Sequence, residues 1–380
     1  MADRSILGAA DVTDAELAAI VAGWLGHDAA DVELLESSAE EFPYDLDAIT
    51  TAGRFWVEGK VGTPSGAVPF RFFVKHVQSW SRSPFFEFVP PDLREWAEGT
   101  VPWYTEPLIY RSDLRDRLPP GLTMPRAVAV RDIDDRAAVV WLEPIDVVER
   151  SWATEHLVHA AYLLGRMAAS PSTSELSAIG EPEPGRRVWT YVEGRLAVQV
   201  LPMLYDDEIW RHPLIAGAFD GTLKDRLRRA ADAVPSYLAE LESMTFGAAH
   251  GDACTNNILV QRDADELALI DYGFWSTQPI GFDLGQLLLG DVQIGRRPAA
   301  CLHRVEAACL PAYVEGLRDE GCAVPTQQVR RAHAILMLFF TGLSSFPLEH
   351  LPHEPTPERH RIAAERAAMA RFILDLVDAT

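Results

Sequence analysis

The sequence predicts an α+β protein in two lobes, a small antiparallel β-sheet lobe followed by a larger, mainly helical one. Three observations point there. Ile49 to Val77 reads as two strands rich in aromatic and β-branched residues, joined by the turn Thr63-Pro-Ser-Gly66. After Glu143 the pattern changes, and Leu157, Ala161, Leu164 and Met167 fall on one helical stripe. The length, 380 residues, suits two domains better than one.

Taken in order, Thr13-Asp-Ala-Glu16 is a capping box opening a short amphipathic helix. Asp31 to Leu35, Ile49 to Val61 and Val68 to Val77 read as strands. Trp80 to Pro91 reads as loop, and a helix runs from Tyr104 to Arg117, stopped by Pro119-Pro-Gly121. Ala127 to Val130 and Ala137 to Leu142 add two strands. The β-rich lobe is therefore expected at 1–142 and the helical lobe at 143–380, with a connector over about 143–150. In the second lobe, helices are expected at Trp152 to Ala169, Leu223 to Leu241, Thr326 to Phe346 and Glu358 to Val377. Ser170 to Arg187 reads as a loop, and two short strands as Asn257 to Gln261 and Leu267 to Ile270.

Composition narrows the function classes. Lys plus Arg number 34 against 56 Asp plus Glu, a formal charge of −22. That argues against nucleic acid or an anionic membrane as partner and permits a cationic ligand. Met1 to Ala10 has no signal-peptide pattern, and no apolar run is long enough to span a bilayer. The four cysteines show no CxxC spacing, which fits a reduced, cytoplasmic setting without disulfides or a zinc site. No Walker A motif is present. Lysine occurs only at 60, 75 and 224, and asparagine only at 256 and 257, so each use of these residues is informative.

The segment His250-Gly-Asp-Ala-Cys-Thr-Asn-Asn257 leads into a short apolar strand. A turn and a second apolar strand follow, ending at Asp271-Tyr-Gly273. Two carboxylates and a carboxamide arranged this way suit phosphoryl transfer, in which the protein positions groups and neutralises charge. One carboxylate orients an attacking hydroxyl, while a second and the amide oxygen offer the hard donors that Mg²⁺ favours. An alcohol has a pKa near ~16 and Asp one near ~4, so full deprotonation before transfer would cost roughly 16 kcal/mol. Asp252 is thus expected to orient the hydroxyl and take its proton late. Lys75 lies on the apolar strand Phe70 to Val77 and needs a charged partner there.

His250-Gly-Asp-x₄-Asn257 followed by Ile270-Asp-x-Gly273 resembles the signature of aminoglycoside phosphotransferases and their choline, homoserine and sugar kinase relatives, which share the protein-kinase-like fold. The resemblance implies Asp252 as the catalytic aspartate, with His250 either bracing its loop or sharing in the chemistry. It implies Asn257 and Asp271 as Mg²⁺ ligands and Asp283 as a structural support of the loop. It also implies that Lys75 meets the nucleotide phosphates and is held by a helix glutamate. Glu106 is the first choice for that glutamate, with Glu95 and Glu98 as competitors. The strand Val139 to Leu142 then exits into a hinge whose backbone, at Glu143 and Ile145, faces the purine. No G-x-G-x-x-G is present; Ser37 to Tyr44 occupies the place of a phosphate-covering loop, and ATP and GTP both remain open.

The expected activity is transfer of the γ-phosphate of ATP or GTP to a hydroxyl of an aminoglycoside, amino sugar or similar acceptor. The carboxylates and aromatics at Asp206, Asp207, Glu208 and Trp210 are the expected acceptor wall, since they suit an ammonium group. Two alternatives stand beside it: a housekeeping or biosynthetic kinase for a sugar, choline or amino alcohol, and a catalytically silent nucleotide-binding scaffold. The sequence does not set the oligomeric state.

Overall fold

The computed structural model describes residues 3–44, 48–148, 151–262 and 266–380; positions 149–150, at the end of the expected connector, lie outside these. The chain forms two compact units. The first comprises Met1–Arg117, Thr123–Val148 and Gln261–Phe274, and the second Leu118–Leu122, Glu149–Val260 and Trp275–Thr380. It is a mixed α/β protein with an antiparallel N-terminal sheet and a helical remainder.

The first unit is built on five strands: β1 (Glu33–Glu41), β2 (Thr51–Thr63), β3 (Gly66–Gln78), β4 (Ala127–Asp134) and β5 (Ala137–Leu142). They pair antiparallel in the order β1-β2-β3-β5-β4. Strand periodicity sorts their side chains. Phe55, Val57 and Val61 of β2 and Phe70, Phe72 and Val74 of β3 bury against helix α1 (Asp14–Leu25) through Leu17, Val21 and Ala22. Arg54, Trp56, Phe73 and Lys75 consequently share the opposite face. Thr13 and Glu16 make both bonds of the capping box, and Gly26, at φ 75°, closes the helix.

Strand β1 runs beyond the expected Leu35 to Glu41, as a polar edge strand. It is fixed by a bridge from Asp3 to Ser38 and by buried Arg4, which binds Ser37, Asp11 and Asp14. The helix expected from Tyr104 to Arg117 is two, α2 (Thr105–Arg111) and a turn at Leu114–Arg117. Ser112 causes the break: its hydroxyl donates to Ile109 O and accepts from Leu114 N–H, competing with the helical ladder. The segment Trp80 to Pro91 contains two short 3₁₀ turns, and a third begins at Pro91.

The second unit contains α3 (Thr154–Ala169), α4 (Gly221–Asp232), α5 (Val234–Glu242), α6 (Phe282–Gln293), α7 (Leu302–Asp319), α8 (Thr326–Met337) and α9 (Pro357–Ala379). The break between α4 and α5, inside the single helix expected at Leu223 to Leu241, falls where Pro235 lacks an N–H to continue the ladder. The sequence reading assigned no element to α6 or α7; α7 carries Pro311 in its interior. Leu223, Leu227, Leu289, Ile335, Phe339 and Ile373 belong to one core. Helices α3 and α7 cross at two glycines. A Cβ on Gly165 would lie 2.1 Å from Tyr313 O, and one on Gly316 2.1 Å from Tyr162 O. No helix among the described residues is long and apolar enough to cross a membrane.

Candidate active site

Each unit carries part of the predicted constellation. In the first, Lys75 sits near the end of β3, 5% exposed. Its Nζ donates to Glu106 Oε2 at 2.6 Å and to Asp271 Oδ1 at 2.9 Å. Glu106 lies in the first turn of α2 and is 3% exposed. The competitors are engaged otherwise or elsewhere: Glu98 accepts from the Ser79 and Ser81 hydroxyls. Burial pulls the Lys75 pKa down, but Asp271 and Glu106 together outweigh it and hold the ammonium above its ordinary value. For Glu106 burial pushes upward, opposed chiefly by Lys75. Asp271 adopts φ 66°, the one non-glycine residue at positive φ among the described residues. Asp tolerates this left-handed conformation better than most side chains, and such strain gathers at functional sites. Tyr272, completely buried, packs edge-on against Tyr110 of α2 at 5.9 Å, which ties the Asp271 segment to the helix bearing Glu106.

In the second unit the strand Phe246–Ala249 delivers the loop from His250 to Asn257. Gly251 turns it at φ 86°. Asp283, in the first turn of α6, accepts from the His250 and Gly251 N–H groups at 2.8 Å each. Burial pushes the Asp283 pKa up to about 7, against the two N–H donors, which hold it down. The Thr255 hydroxyl donates to Asp291 Oδ1 at 2.6 Å, a second clamp onto α6 that the motif did not reveal. Asn257 donates Nδ2 to both the backbone oxygen and Oδ2 of Asp252, at 2.9 Å each. That pair fixes which end of the amide is nitrogen, and it leaves Oδ1 for a different partner.

The other predicted residues have surroundings that bear on their expected roles. His250 is completely buried, and its Nδ1 accepts from the Asp252 N–H at 3.3 Å, a geometry that fits the loop-bracing reading of the two. In the expected acceptor wall, three of the four residues already have partners within their own unit. Asp206 caps the helix Asp207–Arg211 by accepting from Glu208 N–H, and Asp207 pairs with Lys224 and Arg228. Trp210 is a core residue, 7% exposed, whose indole donates to Leu204 O. At the hinge, Glu143 spends its N–H on Arg126 O and its carboxylate on Arg126 and Arg115, so only its carbonyl could serve a purine. Ile145 follows β5 and is half-buried.

One feature escaped the sequence reading. Phe73 and Trp56 pack edge-to-face at 5.2 Å, Phe42 joins them at 5.5 Å from Phe73, and all three stand on or beside the Lys75 face of the sheet. The strand pattern would have found two of them once the register was known.

Among the described residues no group of three or more His, Cys, Asp or Glu could cage a metal. The predicted donors, Asn257 and Asp271, supply oxygen ligands in number and kind suited to Mg²⁺, which takes one or two protein ligands and completes its shell with water and phosphate.

This sheet with its buried lysine–glutamate pair, followed by a helical unit with a clamped Asp–Asn loop, defines the class of protein-kinase-like folds. Residues 112–321, more than half of the chain, match the sequence model of the Phosphotransferase enzyme family, and the chain belongs to that family. No curated protein matches it. Among solved structures it is similar to an aminoglycoside phosphotransferase from Alicyclobacillus acidocaldarius, at 16% identity and a TM-score of 0.53, over 90% of this chain and 93% of that one. A spectinomycin phosphotransferase in complex with ADP and spectinomycin aligns at 10% identity and a TM-score of 0.49, over 90% and 92%. The Plasmodium vivax ethanolamine kinase aligns at 14% and 0.43, over 90% and 83%.

Proposed function

We propose that the protein is a kinase that transfers the terminal phosphate of a nucleoside triphosphate to a hydroxyl of a small molecule. The observation that carries this reading is the Asp252–Asn257 pair. One amide holds the carboxylate and the backbone of the residue that must face the acceptor, and it keeps its own oxygen for another ligand. Family membership and the Lys75–Glu106 pair agree with it.

In this reading Lys75 binds phosphate oxygens and Glu106 keeps its ammonium aimed along the sheet face. Asn257 Oδ1 and Asp271 would hold Mg²⁺, which supplies neutralisation of charge on the phosphates. Asp252 accepts a hydrogen bond from the acceptor hydroxyl, orients it for attack, and takes its proton as the new P–O bond forms. Asp283, with two N–H bonds to the loop, preserves the position of Asp252 during this exchange. The carbonyl of Glu143 and the N–H of Ile145 remain the proposed purine contacts, with ATP and GTP both admitted.

For the acceptor, an aminated or sugar-like alcohol is the reading that the charge of −22 favours. Of the groups at 206–210, Asp207 is already paired with Lys224 and Arg228, which weakens that stretch as an acceptor wall. Aminoglycosides, amino sugars and amino alcohols such as ethanolamine therefore stand together as the test panel. ADP or GDP release is measured over that panel and over neutral sugars, with Asp252→Ala as control. Acceptor-dependent release abolished by Asp252→Ala is the expected result. Nucleotide binding without release for any acceptor would favour the silent scaffold. Turnover of neutral acceptors alone would remove the cationic-substrate reading.

A further inference from the structure

Lys75 has a neighbour that the motif does not include. In the β2–β3 register Arg54 stands directly opposite Lys75, so the two side chains leave the same face of the sheet on adjacent strands. Their surroundings differ. The Lys75 ammonium is met by two carboxylates. The Arg54 guanidinium makes no hydrogen bond or ion pair among the described residues; it lies over the Tyr44 ring, 4.1 Å from its centroid. Tyr44 belongs to the segment that follows β1, and Phe42 N–H donates to Arg54 O at 2.8 Å, which lays that segment against β2. A cavity of about 440 Å³ opens here, lined by Phe42, Tyr44, Gly53, Arg54, Gln78 and Arg82, with Glu41 at its edge. The other cation of this lining, Arg82, has its charge met by Asp134, whereas Arg54 has no ion pair among the described residues.

A strand-borne arginine stacked on an aromatic ring, beside a buried lysine and sharing with it only the longer-range charge of Glu106 among the described carboxylates, suits an anion of extended charge. Its planar fork donates two parallel hydrogen bonds to a phosphate, which a lysine cannot. The aromatic ring beneath it restricts the guanidinium without consuming its N–H groups. In this chain the connection after β1 has no glycine-rich sequence whose backbone amides could wrap the phosphates. We propose that Arg54, stacked on Tyr44, is the phosphate clamp of the nucleotide site and replaces a glycine-rich loop: it grips the polyphosphate chain while Lys75 binds alongside. The proposal rests on the nucleotide reading above and adds to it the residue that discriminates polyphosphate from nucleoside.

The test is titration of the full chain, in Mg²⁺ buffer, with ATP, GTP, ADP and adenosine, followed by calorimetry or tryptophan fluorescence. Arg54→Met should weaken triphosphate binding roughly 10- to 100-fold, the scale of lost charge-assisted hydrogen bonds, and leave adenosine unchanged. Arg54→Lys should recover only part of the loss. Tyr44→Leu should weaken the same ligands by less. Triphosphate affinity unaltered in Arg54→Met overturns the proposal, as does an equal loss for adenosine, which would make Arg54 a general support of the sheet. If Arg54→Met does not fold, Arg54→Lys decides: undiminished triphosphate affinity overturns the proposal, and a loss confined to phosphorylated ligands supports it. If the wild-type chain binds no nucleotide, the kinase reading itself fails and this proposal with it. Wild-type binding combined with an indifferent Arg54→Met removes the clamp alone.

Discussion

Asp252 and Lys75 make different demands on their surroundings, and the difference sets what their removal does. Asp252 acts on the acceptor, so Asp252→Asn should lower kcat by roughly 10²- to 10⁴-fold while nucleotide still binds; single-turnover phosphate transfer set beside nucleotide titration checks the split. Lys75 neutralises a glutamate that is 3% exposed. Lys75→Met leaves Glu106 buried without its cation, an expected loss of about 3 kcal/mol. The double variant Lys75→Met with Glu106→Leu should recover much of that stability and none of the activity. Urea denaturation of the four proteins of this cycle measures it, and strict additivity of the two substitutions would show that the pair is not coupled. Asp252, Asn257 and Asp271 stand out as candidates in the sequence because a short linear segment carries their pattern. Arg54 does not, because its meaning comes from facing Lys75 across a register that only the folded sheet displays. The residues at 206–210 show the converse. In sequence Asp207 stands as a carboxylate beside aromatics; in the fold Lys224 and Arg228 of another helix meet its charge.

At the scale of elements, strands proved easier to place than helix ends. The β2–β3 hairpin announces itself through its turn and its alternation. By contrast Ser112 cuts a helix through a hydroxyl bond, and Pro311 sits inside an 18-residue helix that the sequence reading passed over. The crossing of α3 and α7 offers a test in which propensity and packing oppose each other. Replacing a helical glycine by alanine normally stabilises by up to about 1 kcal/mol. At Gly165 the new Cβ would fall 2.1 Å from Tyr313 O, so the helices must part. Gly165→Ala should therefore destabilise the protein, by roughly 1–3 kcal/mol as for an overpacked core. A raised denaturation midpoint would show that this crossing yields more easily than its geometry implies.

For the whole molecule, acid sensitivity has a identifiable contributor in His333. It is completely buried, and among the described residues only the Gly281 backbone approaches its ring as a hydrogen-bond partner, too weakly to offset burial. Burial lowers its pKa from 6.5 to about 3. The unfolded chain thus binds a proton at this site in a pH range where the folded chain does not. The stability at stake is present above pH 6.5 and is lost as pH falls from there toward about 3. His333→Leu should flatten that limb of the stability curve, measured by urea denaturation at a series of pH values; an unchanged slope would mean that the ring is hydrated in solution.

The scarcity of lysine also turns the lysine–glutamate pair into a reporter. An amine-acylating reagent meets only three side-chain targets in this chain. Lys60 is more than half exposed and Lys224 a quarter exposed, whereas Lys75 is enclosed and held protonated by its two acidic neighbours. Brief acylation of the native protein should add mass at residues 60 and 224 and spare 75. Modification of the third lysine would then time the opening of the sheet face, read peptide by peptide in a mass spectrometer.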